Sequence, residues 1–208
     1  MSNLNKILSM DLILQIWGGS CYLLAKILLA AAEGISNGRK LRIIGWFSYL
    51  IGIPAWVIIL TSNDNWVVAA IDIGSIPSMI LGIVIAWKQN IQVSKAVDRF
   101  VRFFTFFMIL SGTIYSIYCF HGITAFSQII EILITFCFLF GTYLLAKNNP
   151  AGWLLYSLMC ICVVILMVLQ NKPLLAILQG ISLFVVVIAY IKAINRIRTR
   201  RVSGAKVP

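Results

Sequence analysis

Gly45-Trp46-Phe47-Ser48-Tyr49 opens one long apolar stretch of this chain, and Gly152-Trp153-Leu154-Leu155-Tyr156 opens another. The second motif starts 107 positions after the first, residue 152 against residue 45. The same shift lays Val57 on Val164, Ile58 on Ile165, Ala69 on Ala176, Asp72 on Gln179, Ser75 on Ser182 and Ala86 on Ala193. Apolar helices drawn from few residue types align by chance, so the matched aromatic and polar positions carry the case for an internal duplication. A repeat of this size decides the fold. Two like halves in a membrane-embedded chain point to a carrier, because a cleft between similar halves can open to either side in turn.

That the chain is membrane-embedded follows from its composition. It is 61% hydrophobic and 11% charged over 208 residues, with a mean hydropathy of +0.98. A soluble domain is about a quarter charged, so this chain has too few charges to cover a water-facing surface. Apolar runs of about 20 residues between short polar breaks read as membrane-spanning helices. Seven are expected, at roughly 11–32, 41–61, 66–87, 98–118, 123–146, 150–170 and 173–195. They use almost the whole chain and leave no room for a soluble domain. Continuous apolar runs, rather than alternating ten-residue strands, exclude a barrel. The start, Met1 to Lys6, is polar with no small-residue cleavage site, so no removable signal peptide is expected. The five cysteines (Cys21, Cys119, Cys137, Cys160, Cys162) lie in or beside apolar segments without a CxxC pair. They read as small packed residues, not as disulfides or metal ligands.

The net charge of +11 is explained by where the charges fall. Arg39, Lys40 and Arg42 follow the first span; Lys88, Lys95, Arg99 and Arg102 follow the third; Lys147 follows the fifth. Lys192, Arg196, Arg198, Arg200, Arg201 and Lys206 end the chain. Fourteen of the 17 basic residues thus share one side of the membrane, against Lys6 and Lys172 on the other, with Lys26 inside a span. The positive-inside rule then puts the N-terminus outside and the C-terminus in the cytoplasm of an integral plasma-membrane protein, bacterial inner membrane being the natural setting. The basic tail is expected to rest on anionic lipid headgroups rather than on nucleic acid. Whether the protein forms a homo-oligomer is left open.

The repeat and the charge pattern agree on organisation. The match is clearest between spans two and three and spans six and seven; between spans one and five it is weaker, with Ser20 over Ser127. A three-helix unit ends on the side opposite its start, so a second copy in the same orientation needs an odd number of extra crossings. The fourth span supplies one. The expectation is an all-α membrane protein, one polytopic domain over residues 1–208. Two parallel three-helix repeats (about 11–88 and 123–195) are joined by a linker helix (about 98–118), and a basic tail (196–208) follows.

Several polar and aromatic residues are candidates for contact with a small-molecule substrate. Trp46 and Tyr49, and likewise Trp153 and Tyr156, lie one turn apart on a helix face. Each pair could stack on a planar ring; the competing reading is the interfacial aromatic belt of any membrane protein. Asp72 and Gln179 sit at matching positions, each followed three residues later by a serine, Ser75 and Ser182. A carboxylate inside a span costs roughly 2.5–3.5 kcal/mol to insert, so it should face the bundle interior. There these side chains would offer hydrogen bonds to hydroxyls; the plain alternative is helix-to-helix polar glue, worth about 0.6 kcal/mol per pair. Glu131 lies at a depth similar to Asp72 and could join it in a proton site or line an entrance. Lys26, toward the inner end of the first span, is expected to snorkel. His121 reads as a solvated loop residue, and Pro54 and Pro77 as sources of helix kinks. No Walker motif, nucleophile elbow, HExxH or paired-cysteine pattern occurs, which speaks against an enzyme, a metal site or a cofactor.

The stretch from Thr135 to Arg196, TFCFLFGTYLLAKNNPAGWLLYSLMCICVVILMVLQNKPLLAILQGISLFVVVIAYIKAINR, resembles the C-terminal half of the PnuC-type vitamin transporters. A helix ending in a small basic turn, a Trp-x-x-aromatic motif and a last helix ending at aromatic and basic residues carry the resemblance. It implies a SWEET-like bundle and facilitated diffusion of nicotinamide riboside or another vitamin, coupled to phosphorylation inside the cell. It also favours Trp153 and Tyr156 as substrate contacts. One departure stands out: family members usually carry Asn or Asp within two turns after the Trp motif, whereas Ser157-Leu158-Met159-Cys160-Ile161-Cys162 has neither. That puts the identity of the substrate in question, and it supports a rival reading, a non-transporting membrane scaffold that keeps the bundle without the site.

Overall fold

The computed structural model describes residues 2–33, 35, 38–62, 66–88, 94–119, 122 and 126–202, and their regular structure is helical throughout. His121 lies outside the described residues, as do 203–208 and the side chains of Lys6, Cys119, Arg200 and Arg201. The helices are α1 (Ser2–Glu33), α2 (Arg39–Thr61), α3 (Trp66–Gly74), α4 (Ile76–Trp87), α5 (Lys95–Cys119), α6 (Phe126–Ala146), α7 (Ala151–Leu169) and α8 (Pro173–Val202). They provide seven segments long and apolar enough to cross a membrane, with α3 and α4 sharing the third. This is an integral membrane protein.

The break between α3 and α4 has a chemical cause. Pro77 cannot donate a backbone hydrogen bond and its ring crowds the carbonyl one turn back, so a continuous helix through 73–77 is costly. The chain bends at Ser75 instead. The Ser75 hydroxyl donates to the Asp72 carbonyl at 2.6 Å, beside a longer bond of 3.3 Å from the Ser75 N–H to the same oxygen. The kink expected at Pro77 is therefore present, and it leaves Asp72 in the last turn of α3.

The turns after α6 and α7 repeat one solution. Asn148 and Asn171 take positive φ, 57° and 56°. Around them Asn149 N–H donates to the Leu144 carbonyl and Asn148 N–H to Leu145, just as Lys172 donates to Met167 and Asn171 to Val168. This is the Schellman arrangement, and Asn tolerates the left-handed position better than most residues. Pro150 and Pro173, two residues on, then start the next helix, where a missing N–H costs nothing.

Six of the spans close into a ring. α1 packs against α2, α2 against α3 and α4, these against α6, α6 against α7, α7 against α8, and α8 back against α1. Small residues allow the close approaches: a Cβ on Gly52 would lie 2.7 Å from the Tyr22 ring, and one on Gly82 2.5 Å from the Trp46 indole. α5 stays outside the ring; among the described residues it touches α3, α4 and α6. Phe100, Phe103, Phe106, Phe107 and Leu110 are exposed on it, as lipid-facing residues should be.

Ion pairs tie the two ends of the ring. At the end rich in basic residues, Glu33 of α1 meets Arg42 of α2 at 2.9 Å and Arg196 of α8 at 3.2 Å, and Arg42 also donates to Asn148. Nearby, Lys147 holds Asp98 at 2.9 Å and pins α5 to α6; this hydrogen bond keeps the Lys147 ammonium above its ordinary pKa. At the opposite end, Lys172 in the α7–α8 turn holds Asp11 of α1 at 2.8 Å.

Candidate functional site

At the centre of the ring lies a narrow cavity of about 30 Å³, room for one or two water molecules. Every span of the ring contributes: Tyr22 and Lys26 from α1, Tyr49, Trp56 and Leu60 from α2, Val68 and Asp72 from α3, Ile134 and Phe138 from α6, Met159 and Val163 from α7, and Gln179 from α8. Larger hollows of about 480 and 450 Å³ flank α5 on the outer face. Their linings carry no ionisable group apart from Tyr115, as expected of surfaces that face acyl chains.

The helical repeat puts two polar groups of α1 on the cavity side. Tyr22 and Lys26 are four residues apart and so lie one above the other. The Tyr22 hydroxyl donates to Asp72 Oδ1 at 3.2 Å. Lys26 Nζ donates to Gln179 Oε1 at 2.7 Å and lies 3.6 Å from Cys160 Sγ. Asp72 and Gln179, matched in the repeat, thus line one cavity without bonding each other; α1 holds both. The expectation that Lys26 snorkels is overturned. Its side chain is 0% exposed, because α8 presents Gln179 to it inside the ring and the route to the headgroups is filled.

Below this polar pair, toward the basic end, four of the sequence-predicted aromatics form a layer. Trp46 and Tyr49 have ring centroids 6.0 Å apart, Trp153 and Tyr156 6.4 Å apart, and Tyr49 meets Tyr156 edge-to-face at 6.3 Å. The Tyr156 hydroxyl shares a 2.9 Å hydrogen bond with Thr142. All four are buried, so none belongs to a lipid-facing belt. Tyr49 reaches the cavity lining; Trp46, Tyr156 and Trp153 stand behind it as a floor.

The other candidates are buried but further from the cavity. Ser75 is committed to the bend through the Asp72 carbonyl, and Ser182 lies in the core of α8. Glu131 is buried one turn beyond Ile134 on the cavity side of α6 and makes no ion pair among the described residues. Sequence reasoning passed over Tyr22 and Trp56. Tyr22 was signalled by its position one turn before a lysine within the same span, whereas Trp56, as near one end of α2 as Trp46 is to the other, carried no such signal. The Trp56 indole N–H is buried with no acceptor among the described residues.

Tyr22 is held by a contact that a single methyl group would disturb. Gly52→Ala places its Cβ against the Tyr22 ring and the Cys21 Cβ, turning the hydroxyl off Asp72. A hydrogen bond to a charged group contributes about 1.5–3 kcal/mol, so uptake in this variant should fall roughly tenfold or more. Transport assays normalised to membrane abundance would check this; full activity would show that the Tyr22–Asp72 bond is dispensable.

The chain was compared with known families and proteins. No curated protein and no solved structure matches it. The family model described as "Nicotinamide mononucleotide transporter" matches residues 22–195, from Tyr22 on the cavity side of α1 to the last turns of α8. The match takes in all of the cavity lining and all of the aromatic floor, and it covers most of the chain. The chain belongs to the nicotinamide mononucleotide transporter family, the PnuC-type transporters.

Proposed function

We propose that this membrane transporter carries a small vitamin- or nucleoside-like nutrient of the nicotinamide riboside type, by facilitated diffusion with alternating access. One observation carries the reading: a cavity with a buried carboxylate, ammonium, amide and phenol, lined from every span of the ring. Polar and ionisable groups are expensive inside a membrane and mark a pathway when they converge on one point. Two like halves, residues about 11–88 and 123–195, would rock about this point, with α5 as the linker. Asp72, Gln179 and Tyr49 would contact the substrate directly. Trp46, Trp153 and Tyr156 would close the floor beneath its ring, and Ser75, Ser182 and Glu131 would complete the polar surround as the halves part. The small cavity volume fits an occluded state, closed by the aromatic floor at one end and by Leu60, Val68, Leu166 and Met167 at the other. In this reading the N-terminus is outside, the C-terminus is cytoplasmic and its basic tail rests on anionic lipid of the bacterial inner membrane.

Reconstitution tests it. Purified protein in liposomes should equilibrate labelled nicotinamide riboside or a related ring-bearing vitamin across the bilayer, at a rate unchanged by an imposed pH or sodium gradient. Gradient-dependent accumulation would replace facilitated diffusion with coupled transport through the buried acids. Absence of flux for the whole panel would favour the non-transporting scaffold.

A further inference from the structure

Lys26 lines this cavity and makes no ion pair among the described residues. Among the described residues its hydrogen-bond partners are a neutral amide oxygen and a thiol, Gln179 Oε1 and Cys160 Sγ. Asp72 lines the same cavity, yet its bonded partner is Tyr22 and no ion pair joins it to Lys26. An ammonium has three donor hydrogens, and a strong oxygen acceptor takes one of them here. A buried charge is normally paired and fully hydrogen-bonded, because leaving it otherwise costs several kcal/mol. Where a carrier keeps such a group on the lining of its central cavity, the missing partner is supplied from within the cavity.

Resting on the carrier reading above, we propose that Lys26 is a specificity determinant. The site selects a ring-bearing substrate with an anionic or strongly accepting substituent, received by the Lys26 ammonium, over the same ring carrying net positive charge. Asp72 Oδ2, which has no described partner, then faces the donor or cationic part of the same molecule. Asp72 and Lys26 would thus read the two ends of a dipolar substrate, in a cavity that Tyr49 and Trp56 also line. This fits the stretch after Trp153, where Cys160 stands in a segment free of Asn and Asp: Cys160 leaves the lysine's charge unneutralised.

A matched pair of probes tests it. Nicotinamide riboside is a net cation; nicotinic acid riboside has a carboxylate in place of the carboxamide and is net neutral. In thermal-shift titrations of the detergent-purified full chain, wild type should bind the acid on the order of tenfold or more tightly than the amide. Lys26→Met should lose this preference while its ligand-free melting temperature holds or rises, because an unpaired buried charge has been removed. Gln179→Glu, which gives Lys26 an internal counter-ion, should shift the preference toward the cationic amide and keeps the test alive should Lys26→Met fold poorly. Preference of wild type for the amide, or retention of acid preference in either variant, overturns this inference alone. Binding of neither riboside by wild type overturns it together with the carrier reading.

Discussion

Trp153→Ala should destabilise the protein more than any other single change in the aromatic floor. The indole is 1% exposed and stands edge-to-face on Tyr156, which in turn meets Tyr49 of α2. Truncating a buried Trp costs about 3–5 kcal/mol in soluble cores. The lower end, about 3 kcal/mol, applies here, because in lipid the transfer component fades and lost packing remains. A clear drop in melting temperature in detergent, largely restored in Trp153→Phe, is the expected result. The buried setting also changes how the residue must be tested. The alanine variant would lose uptake through instability, so the phenylalanine variant is the one that probes ring contact. An unchanged melting temperature for Trp153→Ala would show that the indole does not support the Tyr49–Tyr156 contact.

Asp72→Ala should reduce uptake by the widest margin. The carboxylate is buried on the cavity wall and receives one hydrogen bond, from Tyr22. Removing it strips the site of its anion and strands the Tyr22 hydroxyl. Loss of a charge-assisted bond and an orphaned buried donor together amount to roughly 3 kcal/mol or more, on the order of a hundredfold in transport efficiency. Asp72→Asn keeps an acceptor for Tyr22 and separates the two contributions: it should retain folding and lose most of the uptake. Initial-rate uptake with membrane abundance measured alongside decides the matter, and near-normal uptake in Asp72→Asn would remove the charge from the mechanism.

Much of this arrangement is written in the order of residues. The seven spans appear as apolar runs because lipid leaves no alternative for the backbone, and the structure's bounds differ from the expected ones by only a few residues. Pro77 announces the bend, since its geometry cannot be absorbed inside a straight helix. Asp72 is legible because its cost in lipid demands an inward orientation. What the sequence does not carry is the meeting of distant positions. Lys26 looks able to snorkel until α8 is known to bring Gln179 to it across a sequence separation of 153. Glu33, Asp11 and Asp98, at the ends of apolar runs, draw no notice in the sequence, yet each closes an ion pair with a residue on another segment. Trp46 looks interfacial by depth, and only the absent side chain of Gly82 shows that there is room for it inside. In each case the deciding fact is which helix is the neighbour, and local periodicity does not report that.

The first helix joins these features. One continuous helix bears Asp11 in its first half, Tyr22 and Lys26 further along and Glu33 at its end, and every one of these groups is fastened to another part of the chain. Were the bundle to rock as proposed, such an element, held near both ends and at its middle, would strain one clamp as it eased the other. On the proposed carrier reading, the two faces of the bundle would then be kept from gaping together, the leak that alternating access has to prevent.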